Sequence, residues 1–189
     1  MELSSITPTP AALKALAHPV RLRMLGLLRV DGPATATTLA TRLGINTGAT
    51  SYHLRQLAQH GFVIEDSERG NARDRWWKAA HQSTFTDRTR ITDPAGHETL
   101  DAYIQAVAVV HTQQLQGAIE EQALLPQEWR DASTVSDYWV RLTPRRARAL
   151  VERLHEVLGA VDEDDTEDAA DFVLQLQAFP LPGVPAEAR

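Results

Sequence analysis

Apolar positions in the first part of the chain recur at helical spacing in short bursts, and each burst ends at a helix stop. Ala11 to Ala17 predicts a short helix that ends at His18-Pro19, because the residue before a proline is pushed out of the helical region. Pro19 opens a second helix, PVRLRMLGLLRV, with Val20, Leu22, Leu25, Leu27 and Leu28 on one face and a stop at Asp31-Gly32-Pro33. Ala34 to Leu43 predicts a third, with Leu39, Ala40 and Leu43 inward and Gly44 closing it. Asn46 stands where it can cap a fourth, in which Leu54, Leu57 and Ala58 keep helical spacing. After Gly61 the period changes. Phe62-Val63-Ile64 and RWWKAA read as extended runs joined by the turn residues SERGNARD, a hairpin with its loop at Glu68 to Asp74.

Farther along, Asp93-Pro94 forms a helix start, and Leu100, Tyr103, Ile104, Val107, Val110, Leu115 and Ile119 mark an apolar face about eight turns long. Residues 135–142 (VSDYWVRL) alternate as a strand does, with Tyr138, Val140 and Leu142 on one side. Thr143-Pro144 caps a further helix lined by Leu150, Val151, Leu154, Val157, Leu158 and Val161. The acidic run Asp162 to Asp168 reads as a solvated loop, and Phe172 to Phe179 as a last strand. The expected fold is mainly α, of the α+β class. Residues 1–82 form a domain of helices and a hairpin; residues 83–189 form a long helix followed by a small α/β part.

Charge sharpens this division. The net charge is −6, which by itself disfavours a polyanionic partner. Residues 1–82, however, hold ten Lys or Arg against six Asp or Glu, whereas residues 83–189 hold nine against nineteen. The chain has no cysteine, which excludes disulfides, thiolate metal sites and cysteine nucleophiles together. No stretch approaches the roughly 20 apolar residues of a membrane span, and the amino-terminal residues lack a basic start followed by an apolar run. A cytoplasmic, membrane-free protein is expected. There is also no G-x-S-x-G elbow, no phosphate-cradling glycine loop and no recognisable catalytic set of His and carboxylates, so an enzyme is not expected.

The fourth helix begins poorly. Its first turns hold Asn46, Thr47, Gly48, Thr50, Ser51 and Tyr52, most of them weak helix formers. Two helices joined at Gly44-Ile45, the second with small polar residues at its start, make a helix-turn-helix pattern, and the poor start then has a use. Short side chains let the backbone approach a major groove, hydroxyls and amides reach base edges, and free helix-end amides face phosphate. LAHPVRLRMLGLL, ATTLATRLGINTGATSYHLRQLAQHGFVI and RWWKAA together resemble the ArsR family of bacterial winged helix-turn-helix repressors, over about Ala11 to Ala80.

That resemblance implies a two-fold dimer on double-stranded DNA, with Thr47, Gly48, Ser51, Tyr52 and Arg55 facing the groove and Asn46 and Gln56 nearer the backbone. It also brings Thr35 into the DNA-binding set, and makes Arg69, Asn71, Arg73 and Arg75 a wing beside phosphates or in the minor groove. Arg55 is the best candidate for a bidentate contact to guanine. Taken without its surroundings it reads rather as a solvated helix residue. His53 reads as a packed residue rather than a base reader. Trp76 and Trp77 alternate along a strand and cannot both be core, so one is expected to meet the second domain or a partner subunit.

Many members of the resembled family sense metals. His97, Asp101 and His111 lie on the long helix, but their spacing departs from that family's pattern, and neither metal nor cofactor is expected. The same helix, through Leu100, Tyr103, Ile104, Val107 and Val110, is expected to pack against its copy in a homodimer, and a small organic effector to lie near Trp129, Tyr138 or Trp139. The competing reading is a winged-helix module for protein assembly. Arg55, Arg69, Arg73 and Arg75 weigh against it, since such a module would tend to show apolar residues there.

Overall fold

Six of the seven α-helices described start on a polar side chain that accepts from an orphan amide of the first turn. Thr9 takes the Ala12 amide at 3.3 Å to open α1 (Pro10–Leu16), and His18 Nδ1 takes the Val20 amide at 3.2 Å to open α2 (Pro19–Val30). Thr35 and Asn46 do the same for α3 (Ala36–Leu43) and α4 (Thr47–Gln59), accepting from Thr38 at 3.1 Å and Ala49 at 2.8 Å. Asp93 accepts from Gly96 at 2.8 Å to open α5 (Pro94–Glu121), which is followed by α6 (Gln127–Ala132). Thr143 caps α7 (Pro144–Gly159) through the Arg146 amide at 3.4 Å.

The computed structural model describes residues 4–69, 75–164, 166–181 and 183. It divides into two compact units, one reaching Ser133 and the other running from Thr134. In the first, β2 (Ala34–Thr35), β4 (Trp76–Ala79) and β3 (Val63–Glu65) form an antiparallel sheet in the order β2-β4-β3. Register sets Thr35 opposite Trp76 and Glu65 opposite Trp77. A second, parallel ladder joins β1 (Ser5–Ile6) to β5 (Ser83–Thr84).

One core holds this unit together. Leu13 and Leu16 of α1, Met24, Leu25 and Leu28 of α2, Leu39 of α3, Leu54 and Leu57 of α4, Phe62, Val63 and Trp77 of the hairpin, and Leu100 and Tyr103 of α5 form a single buried cluster. Because α5 packs on α1 and α2, the unit extends well past residue 82, where the expected boundary fell. Leu100 and Tyr103 therefore belong to the core of their own chain, a correction to their expected place at a dimer contact. Buried residues of α5 all lie between Gly96 and Tyr103. Ile104, Val109, Leu115 and Ile119 are exposed, and Val107 and Val110 are half-buried.

Arg29 clamps this assembly from inside. Its Nε donates to the His81 carbonyl and its Nη2 to Thr84 Oγ1, each at 2.9 Å, and burial lowers its pKa to about 10.

Three expectations change. Ala34 and Thr35 form a strand and a cap rather than the first turn of α3. In the second unit, α7 lies between segments that make no ladder among the described residues, so the strands expected at 135–142 and 172–179 are absent there. Alternation tells which face of a segment is apolar; a strand also needs a neighbour about 4.8 Å away. That unit has no buried residue among those described, and Tyr138 and Trp139 are 88% and 75% exposed.

Candidate nucleic-acid interface

The turn between α3 and α4 is built on one left-handed residue. Gly44 has φ 66°, a conformation costly for any residue with a Cβ, and it lets the Ile45 amide donate to the Ala40 carbonyl at 3.1 Å. The chain reverses within three residues and α4 starts at Thr47 with its amino end outward.

Within α4, packing and exposure divide by face. Leu54 and Leu57 are fully buried and hold the helix to the core. Thr50 is buried too, its hydroxyl donating to the Asn46 carbonyl at 3.1 Å, so the helix start is braced from within. Thr47, Gly48, Tyr52 and Arg55 are exposed, while Ser51 and Gln56 are half-buried. These residues share one side of the helix, as their spacing requires. Asn46 uses its side-chain oxygen for the cap, which leaves its amide nitrogen as the outward donor.

Beside this face lies a cleft of about 310 Å³ lined by Thr35, Ala36, Thr37, Ser51, Arg55, Arg75 and Trp77. It unites the start of α3, the exposed side of α4 and the root of the hairpin. Thr35 lines it while capping α3 and bonding the Thr38 hydroxyl at 3.0 Å. Ala36, Thr37 and Trp77 were not anticipated; the pairing of β2 with β4, which sets the start of α3 beside the hairpin, brings them together, and no local sequence pattern reports it. Trp77 is 7% exposed and is the core member of its pair, while Trp76 is half-buried. The Arg75 guanidinium carbon stands 5.8 Å from the centre of the Trp77 ring, and Arg75 Nε lies 3.3 Å from Glu65.

The hairpin stem has a buried acid at its base. Asp66 is 4% exposed, lies 3.1 Å from Lys78 Nζ and 3.6 Å from Arg69 Nε, and its amide donates to the Trp76 carbonyl at 2.9 Å. Arg69 and Arg75 thus leave the stem as exposed cations with weak carboxylate partners, which a phosphate can replace at little cost. Asn71 and Arg73, also expected in the wing, lie outside the described residues.

His53 turns inward from α4. Its ring centre lies 4.7 Å from that of His18, and its Nδ1 is buried without a partner among the described residues. Both imidazoles are held below their ordinary pKa of 6.5. Burial is the main cause for each; Arg21 adds to it at His18, and His18 and then Arg21 add to it at His53.

On α5, Asp101 is paired with Arg88 at 2.6 Å. Among the described residues no three His, Asp or Glu side chains gather closely enough to hold a metal ion. No helix among them is long and apolar enough to cross a membrane.

Residues 16–66 match a family model described as a helix-turn-helix domain. The chain is 43% identical over 56 residues to the HTH-type transcriptional regulator NmtR of Mycobacterium tuberculosis, a stretch covering 30% of this chain and 46% of that protein. It thus spans under half the length of this curated relative. Among solved structures, reduced HlyU from Vibrio cholerae is 30% identical, with 36% of this chain and 68% of that one covered and a TM-score of 0.32. The homodimeric winged helix-turn-helix DNA-binding domain of Mb0332 from Mycobacterium bovis, described as a possible ArsR-family regulator, is 23% identical, with 53% and 76% covered and a TM-score of 0.34.

Proposed function

We propose that the chain is a transcriptional regulator of the ArsR-like winged helix-turn-helix type, a dimeric, sequence-specific repressor acting in the cytoplasm; the helix-turn-helix match over residues 16–66 and the 43% identity over 56 residues to a transcriptional regulator support this reading. The observation that carries this reading is the exposed side of α4 opening into the cleft with Arg75. Small polar groups there allow close approach, one long guanidinium can read a base, and a second stands ready for the backbone.

In this reading α4 lies in the major groove. Arg55 makes a bidentate contact to guanine, Thr47 and Ser51 make single hydrogen bonds, and Tyr52 meets a thymine methyl or a phosphate. Arg69 and Arg75 take phosphates or the minor groove, and Thr35 and Asn46 hold the backbone. Two copies pair through the exposed part of α5, with Ile104, Val107 and Val110, so that two reading helices meet a two-fold symmetric site. An organic effector bound by the rest of the chain would set occupancy. Metals do not enter this reading.

Selection of binding sites from random DNA, with wild type and Arg55→Ala in parallel at two salt concentrations, tests it. Wild type should enrich a two-fold symmetric sequence, and Arg55→Ala should lose about 1–3 kcal/mol of discrimination at one position per half-site. Enrichment of no sequence by wild type, with binding abolished by modest salt, would replace this reading with a winged-helix module for protein assembly.

A further inference from the structure

Helix α7 carries its charges in the unfavourable direction for a helix alone. Arg145, Arg146 and Arg148 occupy its opening turns, where unpaired amides already supply partial positive charge, and the acidic run from Asp162 to Asp168 follows its far end, where carbonyls supply partial negative charge. Such a distribution is unfavourable within one chain and favourable between two copies laid head to tail.

Along the same helix runs an open apolar stripe. Leu150, Leu154 and Val157 are 42%, 37% and 67% exposed, and their spacing of four and three residues continues back to Ala147 as a short coiled-coil seam; Val161, 48% exposed, follows just past the helix end at Gly159. Val151 and Leu158 flank the seam and are half-buried.

We propose that α7 pairs antiparallel with α7 of a second copy of this chain, through this seam and the charges at its two ends. A two-fold axis at Leu154 sets Leu154 against its own copy and Leu150 against Leu158, and brings Ala147 to the end of the second copy's helix, where Val161 follows. The same register brings Arg145 and Arg146 to the end of the second copy's helix, where the acidic run from Asp162 begins. A parallel pairing brings like charges together at both ends, so charge selects the orientation. The seam is only about two heptads long and is a weak contact by itself; between chains already joined elsewhere it closes as an intramolecular step with a high effective concentration.

The absence of native cysteine makes the full-length chain its own clean background. Under mild copper-phenanthroline oxidation, Leu154→Cys should form a disulfide-linked dimer at least about tenfold faster than Glu152→Cys, which lies on the opposite side of the helix. Ala147→Cys and Val161→Cys should each link poorly alone and readily when mixed. Arg145→Glu with Arg146→Glu should slow linking of Leu154→Cys, adding Asp162→Arg and Glu163→Arg should restore it, and about 1 M salt, where the Debye length is about 3 Å, should weaken both effects.

Equal rates for Leu154→Cys and Glu152→Cys would assign the stripe to another occupant, an apolar effector or a different protein, and overturn the proposal. Ready self-linking of Ala147→Cys would mean a parallel pair and overturn it as well. The fall in sedimentation mass from wild type to Ile104→Asp reports pairing through α5 separately, so failure of either reading leaves the other standing.

Discussion

Gly96 shows how little room the start of α5 allows. A Cβ there would stand 2.6 Å from Ile91 Cγ2 and 2.8 Å from Asp93 Oδ2, in a helix whose Asp93 carboxylate also holds the Gly96 amide. Ile91 is itself buried and cannot swing away. Gly96→Ala should therefore lower stability by about 1–3 kcal/mol, read as a shifted denaturation midpoint with an unchanged slope. Residues of this kind differ in how openly they declare themselves. Leu54 and Leu57 announce their burial by spacing, and Asn46 announces its cap by type and position. Asp66 does neither, because it sits in a run of turn residues and its partner Lys78 lies across the hairpin. Its burial exists only once β3 and β4 have paired.

Between elements, the contact of α4 with the bend from α1 to α2 is the one that titrates. His18 at the bend and His53 on α4 face each other, with Arg21 close enough to disfavour charge on both and the Tyr52 ring 5.5 Å from that of His53. Since both pKa values are lower in the folded protein, the unfolded chain binds protons first. The penalty is absent above about pH 6.5 and grows as pH falls through that value toward the folded pKa. Melting temperature should thus drop between about pH 7 and 5, and His53→Gln should flatten the drop; parallel curves for the two proteins would remove the pair as its cause. The four helices and the hairpin were legible to within a residue or two, since their periodicity and stops are local. β1, β2 and β5 were not, because a two-residue strand has no period to read. The alternation at 135–142 was over-read as a strand for the converse reason: a period can exist without a partner strand.

At the scale of the whole molecule, α5 does two jobs in sequence. Its beginning completes the core of its own chain, and farther along Ile104, Val109, Leu115 and Ile119 are exposed apolar side chains. Ile104→Asp, a change at a 44% exposed position, should leave thermal stability of the monomer nearly unchanged while shifting sedimentation toward monomer and weakening operator binding by about tenfold or more, equivalent to 1.4 kcal/mol or more. The division of the chain into basic and acidic halves was legible from charge alone, but the border of its folded units was not, since the core reaches into α5. This bears on where the protein can be cut. A chain ending at residue 82 would carry every residue of α4 and the hairpin, yet it would strip one strand from the β1-β5 ladder, take Thr84 from Arg29, remove Leu100 and Tyr103 from the core and open to water the faces of α1 and α2 that α5 covers. Ser133, past α6, is where that unit ends, and scissors there leave its core whole.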